Sequence, residues 1–399
     1  MAHLQNKSLK IAINGAGIAG PTLAWWLKKY GFEPVLFEKS PILRQGGYIV
    51  DFWGLGYDIA DKMGILPELK KSGYLIDALN LVDNKGKTLA QLNTKSLRYA
   101  LKDRFISIAR SNISSVIHSF CDDVETRFNT SIIGLQETQD NISVELSDNT
   151  KENFDLVIGA DGLHSQIRSL AFGPYAQYEK NLGAYVIAFT VKDYKHRDDL
   201  FYVSHAATKK QVARVSLRDN ETLFLFTFSS SLIDKIPESL ADQKSAIRSI
   251  FNDMGWEVAD ILRHLDYVED LYFDSVSQIM MQEWSKGRVA LVGDACACVS
   301  LLAGEGTGLA MVEAYILAGE LKNANGDYAK AFDSYAKKLQ PLILQKQNMA
   351  AKMLPFFVPQ TNFQRFLVRM GIKLCSLPGL STIFLGSMLR DDLELPIYT

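Results

Sequence analysis

At 399 residues the chain exceeds one ordinary core and implies two domains, or one large body with an inserted sheet, with room for a buried cofactor. A hydrophobic share of 47% and a charged share of 22% are those of an ordinary globular protein and exclude a disordered or fibrous chain. A formal net charge of −2, without any long block of like charges, argues against a nucleic-acid surface and for small-molecule partners.

In chain order, a short polar leader runs straight into a strand, without the apolar core and small-residue cleavage site of a secretory signal, so a cytoplasmic protein is expected. Leu9 to Asn14 reads as a buried strand, Pro21 to Tyr30 as a helix and Pro34 to Glu38 as a second, parallel strand, which together make a βαβ unit. Phe154 to Ala160 reads as another apolar strand, ending in a tight turn at Asp161-Gly162, and Val289 to Val292 as a third, ending at Gly293-Asp294. Between these last two, from Leu182 to Phe228, the segments AYVIAFTV, VARVSL and TLFLFTF predict an inserted antiparallel sheet, a natural substrate-binding layer. Thr307 to Leu321 reads as a tightly packed helix of small and apolar residues, and Gly326 to Leu344 as a more polar one.

The tail from Leu354 is rich in Phe356, Phe357, Phe363, Phe366, Leu367, Ile383 and Phe384. Arg369 and Lys373 interrupt it and Pro378-Gly379 follows, so it falls short of the roughly 20 apolar residues of a membrane span. Helices packed over an active-site mouth are expected, ahead of an interfacial amphipathic helix and of a membrane span. The four cysteines, Cys121, Cys296, Cys298 and Cys375, form no disulfide framework, and the lone C-x-C of Cys296 and Cys298 lacks the further ligands a zinc ion needs. No metal is expected. There are no internal repeats.

The chemistry concentrates in three places. Gly15-Ala16-Gly17-Ile18-Ala19-Gly20 is a G-x-G-x-x-G that follows a strand and opens a helix: Gly15 permits the turn, Gly17 admits a pyrophosphate and Gly20 allows close helix–strand packing. Glu38, with Lys39 beside it, closes the second strand where an acid accepts hydrogen bonds from adenosine ribose hydroxyls. That acid disfavours a 2′-phosphate, so the site suits FAD or NAD. The other two places are Gly159-Ala160-Asp161-Gly162-Leu163-His164-Ser165-Gln166-Ile167-Arg168 and Gly287-Arg288-Val289-Ala290-Leu291-Val292-Gly293-Asp294-Ala295. His164, His118 and His205 are lone histidines and are assigned no catalytic role.

Taken together, the glycine fingerprint, the D-G motif and the G-D motif resemble those of the single-component FAD-dependent aromatic hydroxylases of the para-hydroxybenzoate hydroxylase fold, over about the first 340 residues. The segment Arg44 to Asp51, the FDSVSQI run from Phe273 and the segment Ala314 to Leu321 are similar to the tetracycline-inactivating flavin monooxygenases within that family. The resemblance implies an α/β fold: a Rossmann-type FAD-binding domain, an inserted mainly antiparallel substrate sheet and C-terminal helices. The implied boundaries are FAD-binding parts at 1–75, 101–175 and 271–345, substrate parts at 76–100 and 176–270, and a helical lid at 346–399.

By the same resemblance Asp294 meets the FAD ribityl chain, Gly293 turns the chain toward it, and the turn through Gly304, Gly306, Thr307 and Gly308 faces the pyrimidine edge of the isoalloxazine. There a helix start places backbone N–H groups where reduced flavin gathers negative charge. Arg110 and Arg44, with Gly47 after it, match family positions near the cofactor. Asp161 and Gly162 match a motif that links the pyrophosphate region to NAD(P)H use, with Arg168 as helper. The implied activity is an FAD monooxygenase that takes NADPH or NADH and O2 and, through a C4a-hydroperoxyflavin, oxidises a polycyclic or aromatic molecule, tetracycline being the leading single substrate. No protein acid or base is required for oxygen transfer, so no catalytic residue is named, and a monomer is expected.

Three positions depart from the family pattern: Leu301 stands for a proline, Gly308 for an asparagine and Ala297 for a histidine. The proline position bears on how oxygen meets the flavin. The departures leave open a non-oxidative flavoprotein such as a cyclase or isomerase, and the apolar tail leaves open a membrane-peripheral hydroxylase of a quinone precursor.

Overall fold

The computed structural model describes residues 8–43, 49–74, 76–94, 98, 101, 103–196, 198, 201–376 and 393–398. Lys10–Asn14 is a run of Ile and Ala whose buried residues leave no polar face, which suits a strand covered on both sides. It lies mid-sheet, parallel to Glu33–Phe37 on one side and Leu156–Gly159 on the other. Val289–Leu291 and Glu125–Arg127 extend the parallel sheet, and the short antiparallel strand Ser285–Lys286 closes one edge. The Rossmann helix spans Ala19–Lys29, with Pro21 in its first turn, where a missing N–H costs nothing.

The expected strand from Phe154 to Ala160 is two strands. Lys151–Phe154 pairs antiparallel with Ile142–Leu146 in a three-stranded sheet, and Leu156–Gly159 enters the Rossmann sheet. The break is at Asp155, whose carboxylate accepts from the Lys10 backbone N–H at 2.8 Å where the chain enters the Rossmann sheet.

The inserted sheet has seven strands, in the order Tyr272–Ile279, Glu179–Lys192, Glu221–Ser229, Lys210–Ser216, Phe201–Ala207, Ala78–Val82 and Thr88–Asn93. All neighbours are antiparallel except Phe201–Ala207 with Ala78–Val82. One face packs on the helices Leu240–Phe251 and Val258–His264 through Phe189, Phe224, Phe226, Phe228 and Phe251. The opposite face looks toward the Rossmann body, where Ala184, Val186 and Val276 meet Leu302, and Ala188, Val215 and Leu223 meet Ile76. The two bodies thus share a seam, which the loop after Asp294 reaches at Leu302.

Gly306–Asn323 is buried almost all round, as its lack of a polar stripe requires, and packs against the Rossmann helix and the helix Gly54–Lys62. The polar helix expected to Leu344 runs from Tyr328 to Phe357, through Pro341 and Pro355. It starts in the Rossmann core, with Phe332, Tyr335 and Leu339, and ends against the inserted sheet, with Leu354 and Phe357. Position 346 therefore falls inside a continuous helix rather than at the start of a separate element. The helix Asn362–Cys375 docks on Thr88–Asn93, and Leu393–Tyr398 returns to the Rossmann body. Among the described residues no helix is long and apolar enough to cross a membrane.

Candidate cofactor site

The six residues from Gly15 to Gly20 divide by what a side chain would meet. A Cβ on Gly15, whose φ is +111°, would lie 2.5 Å from the Ala160 carbonyl, and one on Gly20 would lie 1.9 Å from the Gly15 carbonyl. Both glycines are demanded by packing inside the turn. Gly17 is different: its nearest neighbour would be Arg110 Nη2 at 3.9 Å, so its backbone faces open space. Ala16 and Ile18 are buried beneath the turn, and Ala19 opens the helix.

Glu38 ends the second strand with one oxygen accepting from Ala16 N and the other from Ser40 N, each at 2.9 Å. The acid thereby ties the strand end to the glycine turn. Lys39 beside it is exposed. Arg44 and Gly47 lie outside the described residues.

The D-G turn is held from within. Asp161 accepts from Asn14 Nδ2 (3.1 Å), Ser165 Oγ (2.5 Å), Gln166 N (2.8 Å) and Ile167 N (3.1 Å), so its carboxylate caps the helix Gln166–Ala171 and fastens two Rossmann strand ends together. Gly162, with φ +81°, would have nothing within 4 Å of a Cβ. Arg168 is fully buried and donates to Leu163 O and Ala295 O, both at 2.7 Å, which fixes the D-G turn to the G-D loop. His164 Nε2 lies 3.1 Å from an Asp274 oxygen, His205 Nδ1 3.1 Å from the Val82 carbonyl, and His118 packs on Phe128.

Gly293 turns at φ +69°, and its N–H donates to Glu313 Oε2 at 2.6 Å. Asp294 follows, deep enough that burial pushes its carboxyl up, while the Arg110 guanidinium pulls it down. Arg110 therefore stands between the fingerprint at Gly17 and the G-D motif at Asp294, two segments far apart in sequence. Ser114, one turn along the same helix, donates to Gly17 O at 3.0 Å and holds it there.

Beyond Asp294 the chain passes Ser300, which holds a φ of +115°, rare for a residue with a side chain, then Leu301 and a left-handed Gly304. A Cβ on Gly304 would meet nothing within 4 Å, and one on Gly306 would meet Asp294 Oδ1 at 3.6 Å. The helix that starts at Gly306 has no side-chain cap, and Thr307 is buried in its first turn. Gly308 lies against Gly56, where a Cβ would come 2.3 Å from Gly308 Cα. The helix Gly54–Lys62 thus touches backbone to backbone at the position where the family carries asparagine.

Two features were not legible beforehand. Asp51, on the strand Ile49–Trp53, accepts from Ser107 Oγ at 2.6 Å and lines a narrow cleft with Trp53, Gly56, Glu305 and Gly308. Its surface is open, yet it sits deep enough that burial raises its carboxyl, and its charge helps push up the Tyr202 phenol from the inserted sheet. The second is Lys346, 3% exposed, whose Nζ lies 2.9 Å from Glu305 Oε2 and fastens the long helix to the turn at Gly304–Gly308. Sequence carries no local signal for a pair so far apart. A larger polar hollow of about 700 Å³ lies on the far face of the inserted sheet, around Arg214, Glu257 and Trp256, and borders none of the motifs.

The residues fit FAD. Gly17, Gly162 and Gly304 leave open backbone where a side chain would fill the space, Arg110 stands beside Gly17, and the uncapped helix start at Gly306 lies beside Asp294.

Comparison with known proteins agrees. Residues 8–345 match the family model described as an FAD binding domain. A flavin-dependent monooxygenase of Legionella longbeachae serogroup 1 (strain NSW150) is 37% identical over 342 residues, covering 85% of this chain and 87% of that protein. The crystal structure of tetracycline destructase Tet(51) superposes with a TM-score of 0.84 at 32% identity, covering 98% of this chain and all (100%) of that one. That of tetracycline destructase Tet(55) gives 0.82 at 32%, covering 98% and 99%. With a match this long, through all three motifs and both bodies, the chain belongs to the FAD-binding-domain family and is a flavin-dependent monooxygenase of the para-hydroxybenzoate hydroxylase fold, with tetracycline destructases among its relatives.

Proposed function

We propose that this enzyme takes electrons from NADPH or NADH and inserts one atom of O2 into a polycyclic or aromatic small molecule, with tetracycline the first substrate to test. The observation that carries the reading is the end-to-end likeness to Tet(51), which includes the inserted sheet and the C-terminal helices as well as the FAD body. When bound, FAD supplies the redox and oxygen-transfer chemistry, and the chain's residues bind, orient and exclude water.

In this reading the open backbone at Gly17 and the start of the Rossmann helix take the pyrophosphate. Glu38, beside Lys39, exchanges one backbone partner for the ribose hydroxyls. Asp294 takes the ribityl hydroxyls, with Arg110 balancing its charge. The turn from Gly304 to Gly308, with its uncapped amides, steadies negative charge on the reduced ring. Asp161 acts by shaping the D-G turn, since its oxygens are already engaged. The substrate lies between that seam and the sheet face bearing Tyr202.

The test is mass spectrometry of tetracycline after incubation with the purified protein, FAD, NADPH and air. A gain of one oxygen that needs every component is expected. Unchanged tetracycline, with flavin bound and reducible, refutes this substrate and leaves the family assignment standing.

A further inference from the structure

The helix Asn362–Cys375 is apolar on two faces. Its inner face, Val368 and Ile372, packs on Leu79, Leu81, Ala90 and Leu92 at the edge of the inserted sheet, which fixes the helix in place. Its outer face carries Phe363 (67% exposed), Phe366 (55%), Leu367 (49%), Met370 (37%) and Leu374 (45%). These fall at the i, i+3, i+4, i+7, i+11 spacing of one helical stripe, so five large side chains form a single outward ridge. A scattered surface leucine needs no explanation, whereas a contiguous apolar ridge on a protein surface marks an interaction site.

Charge decides the partner. Arg365, Arg369 and Lys373 recur every four residues and line one flank of the ridge, and the helix contains no Asp or Glu. A second copy of this helix would bring the same cations and no acid to neutralise them. An anionic lipid surface offers both what the ridge needs and what the flank needs, a shallow apolar layer beneath a plane of negative charge.

We propose that the helix Asn362–Cys375 seats the enzyme on anionic membrane surfaces, its apolar ridge in the headgroup–acyl boundary and its three cations against lipid phosphates. Docking there is reversible, since one short helix buries little apolar area.

The test is flotation of the full, FAD-loaded chain with vesicles of phosphatidylglycerol mixed with phosphatidylcholine, and with vesicles of phosphatidylcholine alone. The chain floats with the mixed vesicles and far less with the neutral ones. Phe366→Asp with Leu367→Asp abolishes flotation. Arg365→Gln with Arg369→Gln and Lys373→Gln lowers affinity for the mixed vesicles about a hundred-fold, at about five-fold for each cation removed, and leaves the neutral-vesicle result unchanged. Because the charge variant leaves the apolar ridge and the packed Val368 and Ile372 in place, it reads the interaction even if the aspartate pair disturbs the helix. Equal flotation of all three proteins, or none with mixed vesicles, overturns the proposal. So does a concentration-dependent dimer that Phe366→Asp dissolves, which assigns the ridge to self-association.

Discussion

Replacing Glu313 with glutamine tests the support beneath the G-D motif. Glu313 is 1% exposed, and its Oε2 accepts from Gly293 N at 2.6 Å and from Tyr335 Oη at 3.4 Å, with Cys296 Sγ 3.9 Å away. Burial pushes its carboxyl from 4.5 to about 8, while the Cys296 thiol and Tyr335 phenol are pushed well above their ordinary values, so Glu313 is the member of the cluster that titrates near neutrality. Between those two values the folded chain holds a proton that the unfolded chain has lost. Raising the pH through this window therefore costs stability, on the order of 5 kcal/mol in total. Glutamine keeps the shape and an acceptor oxygen for Gly293 N but does not ionise. Urea unfolding of the FAD-loaded protein at about pH 5 and about pH 8.5 should show the wild type losing stability with rising pH and Glu313→Gln losing markedly less. Asp294, raised in the same direction, remains in both proteins, so the difference reports Glu313 together with its coupling to Asp294. Parallel loss in the two proteins would refute the reasoning.

Three further outcomes follow from the geometry. Glu38→Ala removes the acceptor for Ala16 N and Ser40 N and, in the proposed site, for the ribose; FAD affinity should fall about ten- to a hundred-fold by flavin fluorescence titration. Gly56→Ala places a methyl 2.3 Å from Gly308 Cα and should cost about 1–3 kcal/mol in a urea melt as two helices are forced apart. Gly319→Ala puts a methyl 2.1 Å from the Tyr398 ring, which donates a hydrogen bond to Glu320 at 2.5 Å; the C-terminal segment should detach, at about 2 kcal/mol, and become open to carboxypeptidase while FAD remains bound.

The parts of this protein legible in sequence are those whose physics is local. A glycine fingerprint between a strand and a helix, closed by Glu38, carries its own reason within one βαβ unit, and the structure reproduces that unit to within two residues at each end. The inserted sheet was visible as β-rich segments, but Phe201–Ala207 was not, because its polar Ser204 and His205 break the apolar pattern that the hairpin with Lys210–Ser216 and the parallel partner Ala78–Val82 complete. The single strand read over Phe154 to Ala160 failed at Asp155, since an apolar run does not reveal where the chain passes from one sheet to another. Asp51 sat inside a quoted motif without a role because the groups around it, Ser107, Glu305 and Tyr202, come from separate elements. Lys346 and Glu313 were silent for the same reason. Each acts on a motif from another helix, and only the fold brings them together.

The most direct test of the central claim is the fate of oxygen in a reaction run under heavy-isotope O2 with purified protein, FAD, NADPH and tetracycline. The account predicts one heavy atom in the product, with NADPH consumed in step with it. Product free of the heavy isotope, or NADPH oxidised with all of the oxygen leaving as peroxide, would contradict it.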